Sequence, residues 1–354
     1  MTSPKSAEFC DVVIEWHRQH GRRHLPWQGT RDAYRVWVSE IMLQQTQVAT
    51  VLAYYPRFME RFPDVTSLAQ APLDEVLGMW SGLGYYSRAR NLHACARQVV
   101  THWGGQFPRT SAELATLAGI GPSTAAAIAA FCFGERAAIL DGNVKRVLTR
   151  ALGFAEDLSR ASNERALWQC ANELLPHRSL DKRMPWYTQG MMDLGATVCT
   201  LRQPACDACP LQTRCVAHAQ GDPGRYPVKT RRLKRSQLSL WLLHAVDEAG
   251  RTWLQPRPAT GIWAGLYSLP AYESEQALWG DVPKAAQATA VFHAPFKHVL
   301  THRDLDLHVV SVRAPAAAWR LAGGRWWRVQ DWPALGLPAP VRRFLAQEFK
   351  PPTD

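Results

Sequence analysis

No stretch of this chain is apolar for long enough to cross a membrane: the longest nearly apolar run, Ala125–Phe133, falls far short of the ~18 residues a spanning helix needs. The N-terminal residues Met1–Asp11 lack the apolar centre of a secretory signal, so the reducing cytoplasm is the expected compartment. Charged residues make up only 20% of the chain against 47% apolar, which excludes a mostly disordered, collagen-like or coiled-coil protein. Acidic residues are in short supply, 30 against 41 Lys and Arg, giving a net charge of +11. That excess points to a polyanionic partner, although charge alone identifies none. The 354 residues suffice for about two domains with a core each.

Strand-like alternation is missing from the first 220 residues. Apolar residues recur there at helical spacing, as in Trp37, Ile41 and Val48 or Val144, Val147, Leu148 and Ala151, with Gly and Pro between segments. From Pro223 to Gln237 six basic residues (Arg225, Lys229, Arg231, Arg232, Lys234, Arg235) meet no acidic one, the profile of an exposed linker. Beyond it the short runs Leu238–Val246, Arg251–Gln255, Asp306–Val312 and Arg325–Val329 predict an α+β domain with a small sheet.

Four of the eight cysteines stand alone: Cys10, Cys95, Cys132 and Cys170 read as small buried side chains. The other four, Cys199, Cys206, Cys209 and Cys215, follow the spacing C-x6-C-x2-C-x5-C. In a cytosolic chain such a cluster is a metal site rather than a pair of disulfides. Thiolate chemistry leaves zinc and an iron-sulfur cluster both open, and spacing alone leans to zinc. Either would brace a loop with few apolar residues, leaving Arg202 and Arg214 to meet phosphates; a redox role is the alternative.

Leu117–Thr124 carries Gly119-Ile120-Gly121 directly before an alanine-rich helix. Glycine admits positive φ and close backbone approach, so the turn can cradle a phosphate at a helix N-terminus. The plainer reading is an interhelical turn with Ser123 as N-cap. Glu40 lies between Val36 and Leu43 on one helical face, where loss of water should raise its pKa and make it a general acid. Asp141 precedes Gly142-Asn143-Val144 and reads as an N-cap whose charge the helix favours, so it should stay ionised. Their bland readings are a glutamate at a helix rim and an ordinary cap. Together, one carboxyl biased toward the acid and one toward the anion suit glycosidic cleavage.

Leu25-Pro26-Trp27, Ser39–Gln47, Gly82–Asn91, the glycine hairpin, Leu140–Val144 and the four-cysteine loop together resemble the MutY adenine DNA glycosylases. The resemblance is strong from about Trp16 to His218 and weaker beyond. It implies a multi-domain protein: an all-α helix-hairpin-helix glycosylase core with an iron-sulfur loop, plus a C-terminal α+β Nudix-like domain. The implied layout is a helical region 1–221, with a six-helix bundle about 31–136 and an iron-sulfur domain from about 1–30 and 137–221. A linker 222–237 and a Nudix-like lesion-recognition domain 238–350 follow.

On this resemblance the four cysteines hold a 4Fe-4S cluster, displacing zinc. The implied substrate is double-stranded DNA with adenine mispaired with 8-oxoguanine, and with guanine, handled by a monomer in the cytoplasm at the bacterial nucleoid. Glu40 becomes the acid that protonates the purine, Asp141 the stabiliser or transient covalent partner of the oxocarbenium ion, and Asn143 joins them at the catalytic centre. Arg23, Trp27 and Gln189 match positions lining the adenine pocket, while Gln45 and Tyr85 enter the duplex beside the orphaned base. Gly119, Gly121, Ser123, Thr124 and Arg88 are implied DNA contacts.

Departures sharpen the reading. Lyases of the endonuclease III type carry a lysine where this chain has Ser123, so a Schiff-base step loses its amine and plain hydrolysis is favoured. In Phe296–His302, which resembles the 8-oxoguanine-reading loop, Leu300 and Thr301 replace the commoner Phe-Ser before His302. No glutamate-rich motif of Nudix pyrophosphatases occurs beyond residue 238, so that domain should recognise rather than hydrolyse. The competing functions are a pyrimidine-lesion glycosylase-lyase, which Ser123 and the extra domain disfavour, and a non-catalytic DNA-binding protein, which Glu40 and Asp141 disfavour.

Overall fold

A change of periodicity near residue 236 separates helix from sheet. The computed structural model describes residues 4–230 and 234–349. The chain divides into two compact units, residues 1–70 with 91–232 and residues 71–90 with 233–354. No helix among the described residues is long and apolar enough to cross a membrane.

In the first unit every element is helical or a turn among the described residues. The helix Ala33–Leu43 starts where Asp32 Oδ1 accepts from Tyr34 N–H at 2.9 Å and Arg35 N–H at 3.4 Å. It buries Tyr34, Val36, Trp37, Val38, Ser39, Ile41 and Met42, so most of its circumference faces protein, and Glu40 is half-buried beside Ser39. Each of the apolar side chains contributes about 1.5–3 kcal/mol by leaving water. The helix Pro4–His20 packs on Leu180–Asp193 so closely that a Cβ at Gly190 would lie 2.9 Å from Val13 Cγ1. Val13, Leu140, Val144, Leu148, Met184, Tyr187 and Met191 form one core with these helices.

The basic segment departs from the expected free tether. Tyr226 is buried and its hydroxyl donates to Gln220 Oε1 at 3.0 Å, Leu158 N–H donates to Val228 O at 3.0 Å, and Thr230 Oγ1 donates to Asp157 Oδ2 at 2.5 Å. Charge count missed this because one buried ring, one backbone bond and two side-chain bonds suffice to dock a chain. Arg231 and Arg232 lie outside the described residues, as does Lys350, the end of the expected domain.

The second unit carries an eight-stranded sheet. Its strands are β1 (Ser236–Val246), β2 (Thr252–Pro256), β3 (Tyr267–Ser268), β4 (Ala271–Tyr272), β5 (Val291–Phe292), β6 (Phe296–Val299), β7 (Arg303–Arg313) and β8 (Arg325–Trp327). The long β1 and β7 pair in parallel at the centre, and β6 turns back on β7 as an antiparallel hairpin. Alternation sends Leu240, Leu242, Leu305, Leu307 and Val309 to one core with the helix Ala339–Glu348, and Leu243, Ala245, Val310 and Val312 to the other.

Residues 71–90, within the stretch expected to form the bundle, group by their packing with this unit. A Cβ at Gly78 would sit 2.2 Å from Ala334 O, Tyr86 Oη donates to Leu337 O at 2.8 Å, and Arg90 Nη1 donates to Ala264 O at 2.5 Å. Helical periodicity shows that a face is buried, not what buries it.

Candidate active site

The helix Ala33–Leu43, the first turn of the helix Pro122–Ile128 that follows the glycine hairpin, the start of the helix Gly142–Leu152 and one face of Leu180–Asp193 open onto one cleft of about 1360 Å³. Glu40, Asp141 and Asn143 line it together with Ser123 and Thr124. Arg23, Trp27, Gln45 and Gln189 line it as well. All belong to the first unit.

Val36, Ser39 and Leu43 share the cleft wall with Glu40. Burial pushes the Glu40 carboxyl up to about 8, and the neighbouring Asp141 charge acts in the same direction. Asp141 does cap its helix, accepting from Val144 N–H at 2.7 Å. Its carboxyl nevertheless lies above its ordinary value: burial outweighs the Val144 and Asn143 backbone bonds and the Arg146 and Lys145 charges that pull it down. The cap argument from sequence omitted that desolvation. The two carboxyls still differ in kind, because Asp141 has donors and cations that stabilise its anion whereas burial and a like charge both oppose ionisation of Glu40.

At the hairpin, Gly119 has φ +75° and a Cβ there would meet Asn91 Cβ at 2.6 Å, so glycine is required. Gly121, not Ser123, is the N-cap of the helix Pro122–Ile128. The Ser123 hydroxyl accepts from Leu140 N–H at 3.0 Å, and Gln44 Nε2 donates to Thr124 Oγ1 at 3.3 Å. Gln45 is exposed beside them in a left-handed backbone at φ 54°. Non-glycine residues persist in that conformation where surrounding structure enforces it, often at functional sites. Trp27 is 6% exposed with its ring edge-on to Tyr55, so it is a wall of the cleft and part of the core at once.

The cysteine loop is bonded to the helix that Asp141 caps. Arg146 Nε donates to Cys199 O at 2.7 Å and its Nη2 to Asn143 Oδ1 at 2.8 Å. Arg150, 2% exposed, donates to Cys199 Sγ at 3.4 Å, Thr200 O at 2.7 Å and Leu201 O at 3.0 Å. Burial, with smaller contributions from Cys199 and Cys215, pushes the Cys206 thiol up, and burial with Cys199, Cys215 and Cys206 does the same at Cys209, so the four thiols share one region of the loop. Among the described residues, no three His, Cys, Asp or Glu side chains converge as ligands of one ion.

In the second unit Tyr85 is 47% exposed with φ 47°, and its hydroxyl accepts from Thr301 Oγ1 at 3.3 Å. Thr301 and the exposed His302 occupy the tip between β6 and β7. Arg88, expected to reach DNA, is 8% exposed: its Nη2 donates to Leu83 O at 3.0 Å and Gly84 O at 3.2 Å, beneath the Tyr85 ring. Burial lowers its pKa to about 10.

Residues 38–173 match the HhH-GPD superfamily of base excision DNA repair proteins, and residues 241–347 match the NUDIX domain. The adenine DNA glycosylase of Buchnera aphidicola from Acyrthosiphon pisum is 33% identical over 97% of this chain and 97% of its own. That of Rattus norvegicus is 35% identical over 90% of this chain and 73% of its own. The chain belongs to the adenine DNA glycosylases. Among solved structures, a thermostable thymine-DNA glycosylase is 28% identical at a TM-score of 0.54, covering 61% of this chain and 97% of its own. An endonuclease III–DNA complex, 21% identical at 0.50 over 62% of this chain and 99% of its own, shares the fold of the helical part.

Two residues of this glycosylase's cleft escaped the sequence reading. His17 and Arg22 line it, and both approach the buried Asp193: His17 Nδ1 at 3.4 Å and Arg22 Nη2 at 2.6 Å. Gln189 and Asp193 stand four residues apart on one helix, a spacing visible in the sequence, but the partner Arg22 is 171 residues away.

Proposed function

We propose that this chain excises adenine mispaired with 8-oxoguanine, and with guanine, from duplex DNA. The observation that carries the reading is Glu40: a carboxyl pushed up to about 8 in a cleft shared with Asp141. A base inside a duplex is out of reach, so the adenine must be turned out into the cleft. Arg23, Trp27 and Gln189 would then bound the base, while Gln45 and Tyr85 occupy the space near its former partner. Gly119, Gly121 and Thr124 would hold the backbone through the turn and the helix N-terminus.

Glu40 gives its proton to a purine ring nitrogen as the N-glycosidic bond breaks, and the bonding pair leaves with the base. Asp141 balances the cation that develops on the sugar, with Asn143 held beside it by Arg146. Water then adds at the anomeric carbon, its proton passing to the carboxylate left at Glu40, and an abasic site remains. Ser123 supplies no amine, so the reaction ends at hydrolysis.

The family implies a 4Fe-4S cluster, and Cys199, Cys206, Cys209 and Cys215 are suited to it: neighbouring thiols, a guanidinium donating to Cys199 Sγ, and a loop with little apolar surface of its own. The cluster would supply cross-bracing to that loop. Residues 1–221 are assigned the chemistry and residues 238–350, with His302 at the hairpin tip, the reading of the lesion. The protein would act as a monomer on DNA.

Single-turnover excision on duplexes holding adenine opposite 8-oxoguanine, guanine and thymine tests the reading. Product from the first two and little from the third supports it; no adenine release from any duplex rejects it.

A further inference from the structure

Asp193 lies outside the set of groups that act on substrate, yet it is fully buried at the cleft's edge and organises three residues that line it. Its Oδ1 accepts from Arg22 Nε at 2.8 Å, Arg22 Nη2 at 2.6 Å and Gln189 Nε2 at 3.0 Å. Its Oδ2 accepts from Arg22 N–H at 2.9 Å and faces His17 Nδ1 at 3.4 Å. Burial pushes the carboxyl up, but His17, the Arg22 charge and the Arg22 and Gln189 bonds outweigh it and hold it below its ordinary value. The group is therefore an anion, which accepts hydrogen bonds and donates none.

An acceptor-only neighbour settles which way the Gln189 amide faces. Turned over, Gln189 Oε1 would confront the carboxylate, two acceptors in a buried place. With its NH2 engaged by Asp193, the amide has its carbonyl available to the cleft that Gln189 lines. Adenine carries a donor at its 6-amino group, guanine an acceptor at O6, so a fixed carbonyl distinguishes the two edges.

We propose that Asp193 is a positioning residue that fixes the Gln189 amide so that its carbonyl oxygen reads the 6-amino group of the extruded adenine. This rests on the reading of the cleft as the adenine pocket. A site built to bond a donor loses much of its discrimination when its acceptor is turned away.

The experiment compares single-turnover excision of adenine with that of unsubstituted purine, which lacks the 6-amino group, opposite 8-oxoguanine. In Asp193→Asn the new amide offers Gln189 a donor, and Gln189 can turn over. Adenine excision should fall about 10- to 100-fold while purine excision changes less than about threefold, so their ratio collapses. A merely structural role for Asp193 lowers both rates alike and leaves the ratio in place, which overturns the proposal. Gln189→Met, which removes the amide and its bond to Asp193 but leaves the Arg22–Asp193 bonds in place, should collapse the ratio in the same way. An unchanged ratio in that variant overturns the proposal even if Asp193→Asn does not fold. Wild-type protein that releases adenine while the ratios stay fixed sinks this inference alone; wild-type protein that releases no adenine sinks the glycosylase reading with it.

Discussion

The backbone N–H of Leu140 donates to the Ser123 hydroxyl at 3.0 Å, joining the start of the hairpin helix to the residue before Asp141. The turn proposed to grip phosphate and the carboxylate proposed to stabilise the sugar cation are thereby held in one geometry. Leu140 is 3% exposed, so Ser123→Ala would strand a buried donor and should cost about 1–3 kcal/mol. Excision should slow several-fold as the Asp141 segment loosens. Thermal melts and single-turnover rates check this, and an unshifted melt would show that the bond contributes nothing.

Glu40→Gln separates binding from chemistry. The amide fills the same space but has no acidic proton, so excision should drop by at least about 100-fold while duplex affinity stays within a few-fold. The variant should also melt higher at alkaline pH, because the wild-type carboxyl must ionise there against burial and the Asp141 charge. Near-normal excision would remove Glu40 from the role of acid.

The pH dependence has a definite sign. The Glu40 carboxyl is raised from 4.5 to about 8 in the fold, so its stabilising contribution is complete below 4.5 and is lost as pH rises through about 8. The acid is present in the same range. Wild-type excision should therefore fall about tenfold per pH unit above 8 when Glu40 is the required acid. A rate that stays flat from pH 7 to 10 contradicts the assignment.

How much of this could be read from the chain depended on how local each interaction is. The Glu40 environment was legible because Val36 and Leu43 sit one helical turn away, and the Asp141 cap because Val144 follows three residues later. The upward shift of Asp141 was not, since it arises from burial by distant elements. The strands β1, β2, β7 and β8 matched the alternating runs to within a few residues. The packing partners of residues 71–90 were hidden for the opposite reason: Gly78 and Tyr86 meet carbonyls about 250 residues downstream.

Arg150 tests the link between the cysteine loop and the helix capped by Asp141. Its guanidinium is bonded to Cys199 Sγ and to the carbonyls of Thr200, Leu201 and Pro223. Arg150→Met keeps the length but takes the donor from those part-buried acceptors, so about 1–3 kcal/mol of stability should go. Iron and sulfide content per chain should fall with it. Stoichiometric zinc without iron in wild-type protein would overturn the cluster itself, independently of this variant.

Arg88 decides between two ways a basic residue can serve the loop proposed to meet DNA. Facing solvent, it would pair with a phosphate, and removing it would weaken binding uniformly and reduce the slope of log affinity against log salt by about 1. Instead its Nη2 is spent on Leu83 O and Gly84 O beneath Tyr85. Tyr85 holds a left-handed backbone at φ 47°, which the surrounding bonds must sustain. Arg88→Met should therefore act like Tyr85→Ala, eroding the preference for adenine opposite 8-oxoguanine over adenine opposite guanine while the salt slope stays as in wild type. Titrations at several salt concentrations, paired with excision on both mispairs, separate the outcomes: a slope reduced by one with lesion preference intact would make Arg88 a phosphate contact after all.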